Sequence, residues 1–426
     1  MKSGFLFSSD PKVSKLSDTK VVNDDTLGKR KYRLDDFEFE RNIGSGNLSE
    51  VWHVTLKARP KESYALKIFN VQKVKQNNHV KYVQQERTAM LHLNSPGHPN
   101  VIRMIDTFRD DNHVYLLYEY ADGGELWEEI KNIGVPDKSI ARVLVWQLLN
   151  GLEYIHNRRL IHRDIKCENI VIQNGILKFI DFGTSKFFDG PENPEQDCAN
   201  TTQQPNAGSS KGTTTTDSNV AQTSLGRLNT KREFENYVGT PNFMPPEAIS
   251  NQSSGYAGDL WSFGCTIYQL LLGMNCFIGS SSYFIYKNVK GNKLGFPQDF
   301  DLDAKDLIEN LIVSDPNNRM TLADVRRHKY FAGIDDAIGT ICKLKRFDSL
   351  DVESRSICSK VQEAIFDLTI KREGVTDTDY EEIEELIESI RQRGMTSMVN
   401  NLLFNYLRMR EQLAAEIDEA NLYMRE

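Results

Sequence analysis

Four polar residues near the middle of the chain have the types and spacing to handle a phosphate. Asp164, Lys166 and Asn169 fall within the run His162-Arg163-Asp164-Ile165-Lys166-Cys167-Glu168-Asn169, and Asp181 follows in Asp181-Phe182-Gly183. A carboxylate such as Asp164 can accept or orient the proton of an alcohol. An ammonium such as Lys166 can neutralise charge on a transferring phosphoryl group. Asn169 and Asp181 offer hard oxygen ligands of the kind Mg²⁺ takes. Phosphoryl transfer asks a protein mainly for such positioning and charge stabilisation. Two separate motifs in this order and at this separation make a chance match negligible.

The same chemistry needs a holder for the phosphate donor, and the preceding residues supply its parts. Gly44-Ser45-Gly46-Asn47-Leu48-Ser49 is glycine-rich, which lets backbone N–H groups approach phosphate. Its third expected glycine is Ser49, so in isolation a plain turn explains it as well. Its position between two strand-like runs, with Val51 close behind, strengthens the phosphate reading. Lys67 lies among apolar residues in Ala65-Leu66-Lys67-Ile68. A lysine there is costly to bury without a partner, and Glu86 on the next helix is the expected one. The alternative is a solvated surface lysine. Glu119-Tyr120-Ala121 follows a strand and is placed to receive a purine through its backbone, with Tyr118 setting the depth of the pocket. Glu125 is either a ribose contact or a solvated carboxylate at a helix start.

Downstream, Gly239-Thr240-Pro241 and Pro245-Pro246-Glu247 read as the end of a segment that presents a peptide. Glu247 should pair with Arg319 inside the larger lobe. Asp259, in Asp259-Leu260-Trp261-Ser262-Phe263-Gly264, should hydrogen-bond the backbone around Asp164.

These residues need a scaffold, and hydrophobic periodicity outlines one. From Phe37 the pattern is strand-like: a hairpin closed by Gly44 and Gly46, a strand at Tyr64 to Phe69 and another at Val114 to Tyr120. A helix is expected around Tyr82 to Leu93. From Lys138 helices dominate, with Ile140, Val143, Leu144, Gln147, Leu148 and Leu152 at helical spacing. The fold class is α+β: a small β-rich lobe followed by a large helical one. Residues 1–36 read as a disordered arm, and 37–331 as the catalytic domain. A Thr-, Ser-, Asn- and Gln-rich stretch at about 190–231 reads as a disordered insertion in the activation segment, because it cannot bury enough surface to offset the entropy of ordering. Residues 332–426 read as a helical extension. There Thr378 and Glu381 suggest a capping box. Ile383, Leu386, Ile387 and Ile390 line one helix that Gly394 ends, and Leu402, Tyr406, Met409, Leu413 and Ile417 line a second.

Composition narrows the class further. The 426 residues are 39% hydrophobic and 26% charged with a net charge of −8, which suits a soluble protein and gives no basic face for nucleic acid. The six cysteines show neither CxxC pairing nor zinc-ligand spacing, as in a reduced cytoplasmic protein. The N-terminus lacks the apolar core of a signal peptide. The apolar run Trp261 to Gly279 contains Ser, Gln, Asn and several Gly, so it reads as a buried helix rather than a membrane span.

On these motifs, residues 37 to about 331 resemble a eukaryotic protein kinase. Lys166 matches the serine/threonine class, in which Thr240 bridges Asp164 and Lys166. The resemblance implies ATP and Mg²⁺ as cofactors. It assigns catalysis to Asp164, Lys166 and Thr240, and the metal to Asn169 and Asp181. It assigns the nucleotide to Ile43, Gly44, Gly46, Val51, Ala65, Lys67, Glu86, Glu119, Ala121, Glu125 and Val171. Ser49, the spacing from Tyr64 to Arg87, Asp181 to Lys186, Asp259 to Leu270 and Tyr283 to Lys287 resemble the 3-phosphoinositide-dependent protein kinases of the AGC group. That family lacks the C-terminal Phe-x-x-Phe motif, which is also missing here. The implied substrates are activation-loop sites of other AGC kinases that dock by that motif in a small-lobe pocket. The alternatives are a Greatwall-type kinase, which shares a long insertion, and a pseudokinase scaffold, which would normally have lost Lys67, Asp164 or Asp181. Animal members carry a lipid-binding pleckstrin-homology domain. The helical tail here argues against phosphoinositide binding. The family's usual phosphosite falls on Asn236, near Glu233 and Glu235, so the segment either needs no phosphate there for Arg163 to clamp or uses a fixed carboxylate in its place. Thr230 and Thr213 to Thr216 are the other candidates.

Overall fold

Alternation along a single strand sets the geometry of the small lobe. In β3 (Arg59–Asn70), Leu66 is fully buried on one side of the sheet and Phe69 on the other. Ala65 and Lys67 share the side of Phe69, because successive side chains point to opposite faces. The computed structural model of the chain describes residues 32–136, 138–188, 240–250, 252, 254–334, 357, 360, 361, 364, 377–392 and 396–423. β1 (Phe37–Ser45), β2 (Ser49–Leu56), β4 (Met104–Arg109) and β5 (His113–Glu119) complete an antiparallel sheet of order β1-β2-β3-β5-β4. Two helices, α1 (Val71–Gln76) and α2 (Val80–Leu93), follow β3. Val83, Ala89, Met90 and Leu93 bury one stripe of α2, and Glu86 lies in the same stripe.

The outer face of the sheet corrects one boundary. Tyr32 is 5% exposed and joins Phe37, Val54, Leu66, Phe108 and Tyr115 in a separate cluster. Its ring lies 5.6 Å from that of Phe37 and 6.1 Å from that of Tyr64. Tyr32 to Asp36 are therefore part of the small lobe rather than of a disordered arm, because this sheet face needs a cover. Residues 1–31 lie outside the described residues, as do 189–239, which hold the expected insertion, Asn236 and Gly239.

The large lobe begins with α3 (Leu126–Ile133) and α4 (Lys138–Asn157). Short strands follow: β6 (Leu160–Ile161) pairs with β9 (Lys186–Phe187), and β7 (Ile170–Gln173) pairs with β8 (Ile176–Phe179). After them come α5 (Pro246–Ile249), α6 (Tyr256–Leu272), α7 (Ser282–Gly291), α8 (Leu302–Leu311) and α9 (Leu322–Arg326). Nearly every residue of α6 is buried, as a helix apolar on all sides must be. It ends where Gly273 adopts φ 70, a left-handed cap open to glycine, so residues 273–279 leave the apolar run as loop. Among the described residues no helix is long and apolar enough to cross a membrane. Cys167, Cys265 and Cys276 are buried free thiols; Cys198, Cys342 and Cys358 lie outside the described residues. Ile334 is 5% exposed and packs in the main core of this lobe.

The tail forms α10 (Asp377–Gln392) and α11 (Thr396–Tyr423). Ile383 and Ile387 pack on Leu402, Tyr406, Met409 and Leu413, with Val361 between. Ile417 departs from the expected stripe and is 59% exposed. One residue earlier, Glu416 turns inward and accepts from the N–H and hydroxyl of Ser280. The side chains of Thr378 and Ile390, and Gly394, lie outside what is described. The helices also bind the large lobe. Asn405 Nδ2 donates to the Leu272 carbonyl at 2.7 Å, and Arg408 donates to the Tyr268 hydroxyl at 2.5 Å and to the Cys276 carbonyl. Arg408→Ala is expected to release this seat at a local cost of about 1–3 kcal/mol, since it strands buried acceptors. Faster hydrogen exchange over residues 396–423, with α6 unchanged, is the measurement that checks it.

Candidate active site

The strands and helices converge on a cleft of about 1490 Å³ between the lobes. All eleven residues assigned above to the nucleotide line it, together with Asn169 and Asp181. Gly44 pairs with Val51 across the β1–β2 hairpin, and the Gly46 N–H donates to the Ser49 carbonyl at 2.8 Å. A Cβ added at either glycine would meet nothing of this chain closer than 3.7 Å. The fold itself therefore does not exclude a side chain there. The glycines keep the cleft side of the hairpin bare, which is the condition for backbone amides to reach a phosphate.

Lys67 stands on the floor of β3 with Nζ 2.8 and 2.9 Å from the two Glu86 oxygens and 3.4 Å from Asp181 Oδ1. Burial alone would lower its pKa, but Asp181 and Glu86 outweigh that and raise it. Burial likewise pushes the Asp181 carboxyl up. Lys67 and the Tyr82 hydroxyl oppose it and bring it down to about 2, so Asp181 is a carboxylate at neutral pH. The Tyr118 hydroxyl donates to Glu86 Oε1 at 2.9 Å and fills the rear of the cleft. At Glu119-Tyr120-Ala121, the hinge between the lobes, Lys178 holds the Glu119 side chain at 2.9 Å, and Gln173 donates to the Tyr120 carbonyl at 2.7 Å. Glu125 precedes α3 without capping it, and burial beside Glu128 and Glu168 pushes its carboxyl up.

Below the cleft, donors converge on Asp164. The Thr240 N–H and hydroxyl both reach Oδ1 at 3.1 Å. Asn169 Nδ2 at 2.8 Å and Lys166 Nζ at 2.9 Å reach Oδ2. Lys166 also donates to Thr240 Oγ1 at 2.5 Å, so one lysine joins Asp164 to Thr240. The backbone on which these groups sit is held from beneath. Asp259 accepts from the N–H of His162 and of Arg163, both at 2.8 Å, and lies 2.9 Å from His156 Nε2. Burial would raise the Asp259 carboxyl, but His156 and His162 bring it down. Arg163 Nε donates to the Thr184 carbonyl at 2.6 Å.

The residues assigned above to the nucleotide, the metal and catalysis lie together in this constellation, while the candidate phosphosites at Asn236, Thr230 and Thr213 to Thr216 lie outside the described residues. Two groups were not singled out for what they do here. Tyr82 donates to Asp181 Oδ1 at 2.6 Å, and Lys178 anchors the hinge. Tyr82 precedes Glu86 by one helical turn, so the i, i+4 rule places it on the same face. Nothing in the local pattern marks Lys178. The Asp181 carboxylate and the amide oxygen of Asn169 are hard oxygens of the kind that would suit Mg²⁺. The contacts from Lys67, Tyr82 and the Gly183 N–H all fall on Asp181 Oδ1 and leave Oδ2 over. Among the described residues no cluster of three or more His, Cys, Asp and Glu is placed to hold a metal.

Comparison with known proteins agrees with this architecture. The protein kinase domain matches residues 37–205 and 223–331. The chain is 33% identical over 309 residues to 3-phosphoinositide-dependent protein kinase 1 of Arabidopsis thaliana, covering 70% of this chain and 56% of that protein. It is 30% identical over 312 residues to putative 3-phosphoinositide-dependent protein kinase 2 of Homo sapiens, covering 72% and 68%. An Aurora kinase of Dictyostelium discoideum matches at 30% over 308 residues, again covering 72% and 68%. The chain thus spans little more than half of the Arabidopsis relative.

Proposed function

Since the chain belongs to the protein kinase family, in the neighbourhood of the 3-phosphoinositide-dependent kinases, we propose that it transfers the γ-phosphate of ATP to serine or threonine hydroxyls of proteins. The observation that carries this reading is the tie of Lys166 to both Asp164 and Thr240. It joins the residue that handles the substrate hydroxyl to the segment that presents the peptide.

In this reading the Asp164 carboxylate orients the attacking hydroxyl and takes up its proton. Lys166 offsets charge on the phosphoryl group in flight. Lys67, fixed by Glu86, holds the α- and β-phosphates under the bare backbone of Gly44 and Gly46. The backbone at Glu119 and Ala121 receives the base, and Val51, Ala65 and Val171 wall it. Mg²⁺, held by Asp181 and Asn169, would neutralise the phosphates. The substrates are activation-loop segments of AGC kinases. The reading puts the docking site for their Phe-x-x-Phe tails on the small lobe near α2, and the partly buried Val80 and Val114, which pack against the core that contains Val74 and Val83, support it.

In vitro transfer to an AGC activation-loop peptide, against unrelated Ser/Thr peptides, tests the proposal. An advantage in kcat/KM of about tenfold or more is expected, and a further gain when the peptide carries a Phe-x-x-Phe tail. Equal use of all peptides would leave the kinase activity standing and remove the substrate class.

A further inference from the structure

The face of α2 that carries Glu86 grips the Asp181 segment by more than the Lys67 ion pair. The Tyr82 hydroxyl donates to Asp181 Oδ1 at 2.6 Å. Its ring lies on the backbone of Gly183, where an added Cβ would meet ring carbons at 2.0–2.4 Å. Only glycine fits at 183 while Tyr82 stays in place. Gln85 Nε2 continues the contact by donating to Ser185 Oγ at 3.3 Å. Asp181 needs such ties. It sits at φ 60, a left-handed conformation that a non-glycine residue keeps only when its surroundings hold it.

We infer that Tyr82 is a positioning residue for the metal-binding carboxylate. It fixes Asp181 Oδ1, keeps Oδ2 turned to its task, and locks α2 to the Asp181-Phe182-Gly183 backbone so that the small-lobe helix and the metal site move as one unit. The tie needs no covalent modification. It rests on the kinase reading, since Tyr82 acts through Asp181 and not on the reacting atoms.

Tyr82→Phe in the full chain tests it, because the ring stays on Gly183 and only the hydroxyl goes. Hydrogen exchange of residues 80–93 and 181–185, measured without nucleotide, is expected to quicken about tenfold. In steady-state transfer the Mg²⁺ concentration for half-maximal rate is expected to rise about tenfold and kcat to fall, with the KM for peptide unchanged. Gln85→Ala, which cuts only the tie to Ser185, should shift exchange in the same direction by less, and it takes over if Tyr82→Phe fails to fold. Unchanged exchange together with unchanged Mg²⁺ dependence overturns the inference. So does a uniform loss of stability with the Mg²⁺ requirement untouched. Wild-type protein that transfers no phosphate overturns the kinase reading instead, and the exchange measurement, which needs no turnover, still decides the role of Tyr82.

Discussion

Asp164→Asn is expected to lower the rate of phosphoryl transfer by about 10²- to 10⁴-fold, the range typical of losing a positioned general base. Asn cannot take up the hydroxyl proton. It also meets the wrong neighbours, since four donors converge on this carboxylate: the N–H and hydroxyl of Thr240 on one oxygen, Lys166 and Asn169 on the other. An amide supplies one acceptor oxygen and turns two N–H groups toward donors. The junction at Thr240 should therefore loosen as well, at a cost of about 1–3 kcal/mol for partners left unsatisfied. Transfer of radiolabel from ATP to a generic protein substrate, followed alongside thermal unfolding, separates the two effects. A variant as active as wild type would mean that Asp164 has no part in the chemistry. Transfer that vanishes while the protein stays folded excludes a non-catalytic scaffold.

Arg319→Ala should produce the largest loss of stability. The guanidinium is fully buried and forks onto Glu247, Nη1 to Oε1 and Nη2 to Oε2, both at 2.7 Å. It also donates to the carbonyls of Ala257 at 2.7 Å and Val313 at 2.8 Å, and lies over the Trp261 ring. One side chain therefore joins α5, α6 and the loop after α8. Truncation leaves the Glu247 carboxylate buried and unpaired, which costs about 3–5 kcal/mol. That is a large fraction of the about 5–15 kcal/mol that holds a typical domain folded. Denaturant unfolding of the single variant and of Arg319→Leu with Glu247→Leu checks the argument. The double variant should recover part of the loss, because it buries no lone charge. A single variant within about 1 kcal/mol of wild type would show that the pair is replaceable by water.

How far each feature could be read in the sequence depended on whether its cause was local. The strand that carries Lys67 and the stripe of α2 were legible, because periodicities of two and of 3.6 are written along the chain. The Asp164 run and Asp181-Phe182-Gly183 were legible because phosphate chemistry demands those residue types at fixed intervals. The Lys67–Glu86 pairing could be named because a lysine set among apolar residues needs an opposite charge nearby, whereas Arg319, between Asn318 and Met320, carries no such local mark. Tyr32 reads in sequence as part of a disordered arm, since a short polar stretch does not reveal that the outer sheet face lacks a cover. Ile417 extended an apolar stripe on paper, but Ser280 drew Glu416 inward and turned Ile417 out.

By itself the sequence determined which residues could perform phosphoryl transfer, in what order, and on which kind of element. Each of those facts follows from side-chain chemistry or backbone periodicity. The tertiary structure alone decided what holds those residues to their task. Tyr82 reaches a carboxylate 99 positions away, Lys178 reaches Glu119 59 positions away, and Arg408 grips α6 across 140. Hydrogen bonds depend on distances of a few tenths of an ångström between groups that only the packed core brings together, and no local pattern in the chain encodes that distance.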